Sequence, residues 1–328
     1  MNLNLCFKRW QSFVGVIYWR EFLLCSPAIL LVIVVSLDID PLVAVIMVGA
    51  AFTVGFGASR TLGPYRWGAV AIATVGMSIS AFLGSLVGHE AWLLLILVGI
   101  LAACCAYLTS RNNDLWWVSL QVVVAFLVAS YYPRSIEDAL LRGGLILMAG
   151  FLQLLGMVCL ARLFPSVSAS LPPIPVTAID RDLQWRFVWA MVLSVMGSFV
   201  VAQHWGLAND YWAPMTALMI MRPSGQLTWS RSIARLVGTL VGCSVATLII
   251  YLFHEQLLIL ILALVISSGL AFSLQKANYG VLSCVMSATV VFLIALGFGD
   301  PISTTEHRLV ATLLGGGVAL GMTKIFRL

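Results

Sequence analysis

Arginines set in apolar surroundings, with aromatic residues close by, carry most of the chemistry this sequence could do. Arg231-Ser232-Ile233-Ala234-Arg235 places two guanidinium groups four residues apart, on one face of a helix, where they repel each other by a few tenths of a kcal/mol. Arg222-Pro223-Ser224 precedes them, and Asn209-Asp210-Tyr211-Trp212-Ala213-Pro214-Met215-Thr216 lies just before that. Arg142 and Arg308 stand 166 residues apart, each near the start of a long apolar run. A guanidinium binds carboxylate oxygens through several N–H donors, and Tyr and Trp offer aromatic surface to a ring. These residues therefore suit contact with an organic anion. Each also has an ordinary membrane role: arginines anchor and snorkel at a bilayer edge, and Tyr211 and Trp212 could form an interfacial belt. Arg142 follows Asp138 by four residues and Arg308 follows Glu306 and His307, so local ion pairs are the alternative there.

Other chemistry is poorly supplied. His89-Glu90 and His254-Glu255 read as solvated turns, and no second His follows at the spacing of a zinc-binding helix. Cys6, Cys25, Cys104, Cys105, Cys159, Cys243 and Cys284 lack metal-ligand spacing, and all but Cys6 lie in apolar stretches. There is no nucleophile elbow or phosphate loop, so neither an enzyme nor a cofactor nor a metal is expected. No Asp or Glu falls near the middle of an expected span, which argues against a buried-carboxylate proton exchanger.

The elements that must position the arginines are membrane helices. Hydrophobic residues make up 61% of the 328 residues and charged residues 9%, with mean hydropathy +1.04, so a soluble surface cannot be built. The net charge of +5 therefore concerns membrane orientation, not nucleic acid. Apolar windows place spans near 21–37, 41–58, 67–87, 91–109, 115–132 and 139–163, then 185–203, 209–222, 231–253, 256–274, 278–297 and 304–326. Residues 1–20 read as an interfacial segment, with Lys8 and Arg9 ahead of Trp10 and Phe13. With the N-terminus inside, 15 of the 18 basic residues fall on the inner side, leaving Arg134, Arg142 and Arg308 outside. Nine of the 13 acids fall outside, so the expectation is an all-α polytopic protein of about twelve spans with both termini inside.

The chain reads as two copies. Gly88-His89-Glu90 returns as Phe253-His254-Glu255, and Arg111-Asn112-Asn113 as Lys276-Ala277-Asn278, both at spacing 165. Ala125–Ala129 returns as Val291–Ala295 at spacing 166. Six spans per copy is an even number, so the copies (21–163 and 185–328) should point the same way, joined by a Pro-rich inner linker at 164–184 with Pro165, Pro172, Pro173 and Pro175. Gly76, Gly84 and Gly88, then Gly238 and Gly242, then Gly317 and Gly321, form small-residue ladders expected to let helices pack closely. Pro214, inside a short span, is expected to kink or break its helix.

Tyr211-Trp212-Ala213-Pro214-Met215-Thr216-Ala217-Leu218, Arg222-Pro223-Ser224, Arg231 through Arg235 and Gly238-Thr239-Leu240-Val241-Gly242 together resemble the FUSC family, the fusaric acid resistance and aromatic acid exporter family, which is related to plant aluminium-activated malate transporters. The likeness is strong over about 209–250; the first copy shares only hydropathy and the repeat points. It implies a bacterial inner-membrane exporter of aromatic or other organic acids, sometimes working with a periplasmic adaptor protein. The implied functional region is Tyr211, Trp212, Pro214, Arg222, Arg231, Arg235, Gly238 and Gly242, with Arg142 and Arg308 as outer anion contacts on the residue reading. A passive organic-anion channel and a non-transporting subunit that docks the adaptor are the rival expectations. The expected partners are the organic acid anion, membrane lipid, the adaptor and a second copy of the chain in a homodimer. Many relatives carry a sizeable soluble domain, and only the 164–184 linker stands here, so regulation or docking by such a domain is expected to be absent or supplied by another subunit.

Overall fold

A computed structural model describes residues 14–132, 135–167, 179–253, 256–297 and 299–328. Cys6, Lys8, Arg9, Trp10, Phe13, Arg134, Pro172, Pro173, Pro175, His254 and Glu255 lie outside the described residues. Among the described residues there are twelve α-helices: α1 (Trp19–Leu37), α2 (Pro41–Gly55), α3 (Gly68–Val87), α4 (Ala91–Thr109), α5 (Asn113–Ser130), α6 (Ile136–Leu163), α7 (Arg181–His204), α8 (Trp212–Ile220), α9 (Gly225–Phe253), α10 (Leu257–Ser273), α11 (Tyr279–Leu296) and α12 (Pro301–Ile325). Nine of these are long and apolar enough to cross a membrane, so the protein is an all-α polytopic membrane protein. The exceptions are α2, α10 and α8, of 15, 17 and 9 residues.

Local chemistry sets the helix starts. Asp40-Pro41 and Asp300-Pro301 each put a carboxylate at the N-cap and proline at the first helical position; Asp40 accepts from the Leu42 N–H at 2.7 Å, and Asp300 from Ile302 and Ser303. Asn112, Ser135, Asp180 and Asn278 cap α5, α6, α7 and α11 in the same way. The Asp180 cap starts α7 at Arg181, so the last four residues of the expected linker are helical. Residues 15–18, expected to belong to an interfacial helix, are not helical. Gly15 has φ +87°, and the backbone there is tied instead to the second copy, through Tyr18 N–H to Ser273 O and Asn278 N–H to Val14 O.

Helix packing repeats itself. In the first set α3 packs on α5 and α6, α6 on α1 and α2, α1 on α2, and α4 on α5. Adding six to each number gives the packing of the second set: α9 on α11 and α12, α12 on α7 and α8, α7 on α8, and α10 on α11. Between the sets α4 packs on α7 and α10 on α1, which are again equivalent pairs. Twofold pseudo-symmetry relates sets that repeat their internal contacts and exchange their peripheral ones.

The glycine ladders divide. A Cβ on Gly76 would lie 2.8 Å from Val122, and one on Gly84 2.6 Å from the Phe126 carbonyl, so both let α3 sit against α5. Gly238 and Gly242 do the same for α9 against α11, where their Cβ atoms would meet the backbone of Gly280 and Cys284. Interhelical bonds run along the same two seams: Ser80 Oγ donates to Val122 O at 2.7 Å, and Ser283 Oγ to Arg235 O at 3.3 Å. Gly88 is the C-cap of α3. Gly317 and Gly321 do not pack as expected: nothing lies within 4 Å of either Cβ position. Gly315 is the residue pressed against Ala213 and Thr216 of α8, and positions two and six residues further on point about 200° and 240° away from it.

Candidate functional site

The shortest helix of each half, α2 in the first and α8 in the second, occupies an equivalent position, and both face a common cavity. Short, interrupted segments at corresponding places in two repeats are where transporter folds build their sites. The nine residues of α8 extend only about 13 Å, so this segment, expected as a span over 209–222, is a half-helix. Pro214 is not what shortens it. It sits in the first turn, where its missing N–H has no intrahelical partner to lose, and it is buried away from the cavity. The helix ends instead at Met221, whose backbone is extended, ahead of Pro223. Thr228 then shapes the turn into α9: its hydroxyl accepts from the Arg222 N–H at 3.0 Å and donates to Ser224 O at 2.9 Å. That turn starts α9 at Gly225, six residues before the expected 231, so Arg231 and Arg235 stand on an established helix.

The cavity has a volume of about 1430 Å³ and is lined by α2, α5 and α6 from one half and by α8, α9, α11 and α12 from the other. On α5 it touches Asn113, Trp116, Trp117, Leu120, Gln121, Val124, Ala125, Val128 and Ala129, an unbroken stripe at helical spacing. It therefore follows the whole of α5, about 27 Å. Such a length is comparable with the apolar thickness of a bilayer.

Arginines mark both ends. At the end where α5 and α9 begin, the Arg222 guanidinium lies 4.8 Å from the centre of the Trp116 ring, and that of Arg231 3.9 Å from the centre of Tyr279. Arg231 also donates to Met219 O at 3.3 Å, at the carbonyl end of α8, where a cation is favoured. Arg60, which follows α2 as Arg222 follows α8, is paired with Asp114 at 3.4 Å. At the opposite end Arg308 lies 5.2 Å from the centre of Trp212, and Arg142 5.0 Å from the centre of Tyr132. Arg235 sits between the two groups, within electrostatic reach of Tyr279 on one side and Arg308 on the other. Arg235 and Arg308 are each 6% exposed, and their Nε atoms have no hydrogen-bond partner among the described residues. No carboxylate lies within ion-pair distance of Arg222, Arg231, Arg235 or Arg308 among the described residues. The local pair expected for Arg308 does not form: Glu306 is exposed while Arg308 turns inward to Trp212.

Of the residues singled out in the sequence, Tyr211, Trp212, Arg142, Arg222, Arg231, Arg235 and Arg308 all line this one cavity. Gly238 and Gly242 do not line it; they set the α9–α11 seam that aims Arg235. Trp116, Tyr132, Tyr279 and Arg60 were not anticipated. The signal for Arg60 lay in the repeat, since it occupies the place after the short helix that Arg222 occupies in the second copy.

Residues 193–322, from α7 to near the end of α12, match the family described as fusaric acid resistance protein-like. That stretch of the second half is similar to the FUSC family. One relative is an uncharacterised protein, slr1298, of Synechocystis, 31% identical over 141 residues; another is the inner membrane protein YccS of Escherichia coli, 26% identical over 136 residues. These alignments cover 42% and 41% of this chain but only 18% of either relative. No solved structure matches the chain. The matched region holds α8 and the cavity-facing parts of α9, α11 and α12, and so Arg222, Arg231, Arg235 and Arg308, while Trp116, the aromatic neighbour of Arg222, comes from α5 outside it.

Proposed function

We propose that this FUSC-like protein is an exporter of organic carboxylate anions, aromatic ones in particular, located in the inner membrane like the relative whose name says so. The observation that carries the reading is a set of four arginines, unpaired with any described carboxylate, along a cavity that follows a full membrane helix. Buried guanidinium charges without carboxylates are costly unless an anion or water meets them. Their summed field raises the local concentration of anion at the cavity mouth. Trp116, Tyr279, Trp212 and Tyr132 hold the guanidinium groups and give aromatic surface to a solute ring. A membrane potential supplies about 2.3 kcal/mol per charge per 100 mV, so outward movement of an anion needs no buried carboxylate.

The test is uptake of radiolabelled 4-hydroxybenzoate by liposomes holding the purified chain, under an imposed potential. Potential-driven flux that falls at least tenfold in Arg235→Gln, with equal incorporation, is the expected result. Undiminished flux in the variant would remove Arg235 from the pathway, and no flux for any acid in a panel would overturn transport by this chain alone.

A further inference from the structure

The cavity contains not one arginine cluster but two stations on a single line. The first is Arg222 and Arg231, held against Trp116 and Tyr279 at the carbonyl end of α8. The second is Arg308, held against Trp212 at the first residue of α8. Seven residues of helix separate Trp212 from Met219, where Arg231 is anchored, so the backbone anchors of the two stations are about 10 Å apart. Arg235 lies between them and feels both.

Resting on the anion reading above, we infer that the cavity holds two monovalent carboxylate anions at once, one at each station. Charge balance leads there. Arg60 is already neutralised by Asp114, Arg142 has Asp138 one helical turn before it on α6 at the cavity wall, and the carboxylate of Asp300 is engaged in capping α12. That leaves Arg222, Arg231, Arg235 and Arg308 without a described counter-charge. One monovalent anion would leave three of those four charges uncompensated in a low-dielectric wall, whereas two leave half of them so. Space permits it. A volume of about 1430 Å³ exceeds the roughly 300–1,000 Å³ that usually encloses one drug-sized ligand, and benzoate-sized anions are smaller still. The buried Tyr279 hydroxyl, whose oxygen can accept from Arg231, keeps its own proton to donate to the anion at the first station. Two anions at about 10 Å repel without clashing, so arrival of the second at the Arg231 station weakens the hold of Arg308 on the first. Both stay bound at rest, and each new entry helps the outer anion leave.

The experiment is equilibrium binding of radiolabelled benzoate to the purified full chain, read as equivalents per chain at saturation. Two equivalents are expected for the wild type and one for Arg308→Gln. Arg308→Lys, which keeps the charge, should bind two, which separates loss of the station from loss of the fold. A single equivalent in the wild type, or two in Arg308→Gln, would overturn two-station occupancy while leaving an anion pathway intact. No binding by the wild type at any concentration tried would overturn the anion reading and this inference together.

Discussion

Asp210 lies in the loop leading into α8, 9% exposed, and one of its carboxylate oxygens has no partner among the described residues. Burial pushes its carboxyl up from 3.8 to about 6, against the opposing pull of the Tyr211 N–H and the Gln203 side chain. The fold thus favours the neutral acid. Its stabilising contribution is complete below the unfolded value of 3.8 and is lost as pH rises through about 6. The loop is otherwise held by Asn209, at φ +56°, whose Oδ1 accepts from the Tyr211 hydroxyl at 3.0 Å and from Tyr132 at 3.4 Å. Amide exchange at residues 205–211, corrected for the intrinsic pH effect, should therefore be slower at pH 5 than at pH 7.5. Asp210→Asn should show the slower rate at both; a pH step surviving in that variant would assign the effect elsewhere. The sequence made Asp210 visible only as an outer-loop acid. Its burial depends on how the α7–α8 turn folds back between Tyr211 and Gln203, which a one-dimensional pattern does not encode.

At the scale of elements, the seams between α3 and α5 and between α9 and α11 depend on backbone approach. Gly242→Ala would place a methyl group against the Cys284 backbone, which has no room to yield, so a loss of about 1–3 kcal/mol is expected. Gly317→Ala meets nothing within 4 Å and gains helix propensity, so it should be neutral or stabilising by up to about 1 kcal/mol. Thermal unfolding of both variants in one detergent checks the pair, and equal behaviour would refute the assignment of faces. The spacing of four residues was legible in all three ladders, yet only two of them pack. Spacing tells which glycines share a face but not whether that face meets a neighbour. The same limit applies to the arginines. That Arg231 and Arg235 share one face follows from their separation alone, whereas the Tyr279 ring that Arg231 meets and the Trp116 ring that Arg222 meets come from helices 48 and 106 residues away along the chain. Pro214 misled for a related reason: a proline breaks a helix interior, but where the first turn begins is decided by the loop before it.

The whole molecule is organised by the equivalence of αn and αn+6, and that equivalence fixes how the two halves must sit in a bilayer. The starts of α5, α9 and α11 lie together at one end of the cavity, so equivalent loops open on the same side. The matched dipeptides and the basic loops carried this in the sequence. The exchange of α4 and α10 between halves was not written there, since it rests on which lateral faces are complementary. The cavity's asymmetry arises within that symmetry. Arg60 and Arg222 follow equivalent short helices, but Asp114 neutralises only the first, because the start of α11 has no acid where the start of α5 has Asp114. The charged line is therefore built on one half of a symmetric frame. Single cysteines introduced on a background without native cysteines test the frame. Those at Arg111 and Lys276 should react with an impermeant maleimide only from the cytoplasmic side, and those at Ile39 and Trp205, at the equivalent turns before α2 and α8, only from the opposite side. Labelling of the two members of either pair from different sides would mean an inverted repeat. Trp116 and Arg222, which come from different halves, would then no longer meet at one end of the cavity.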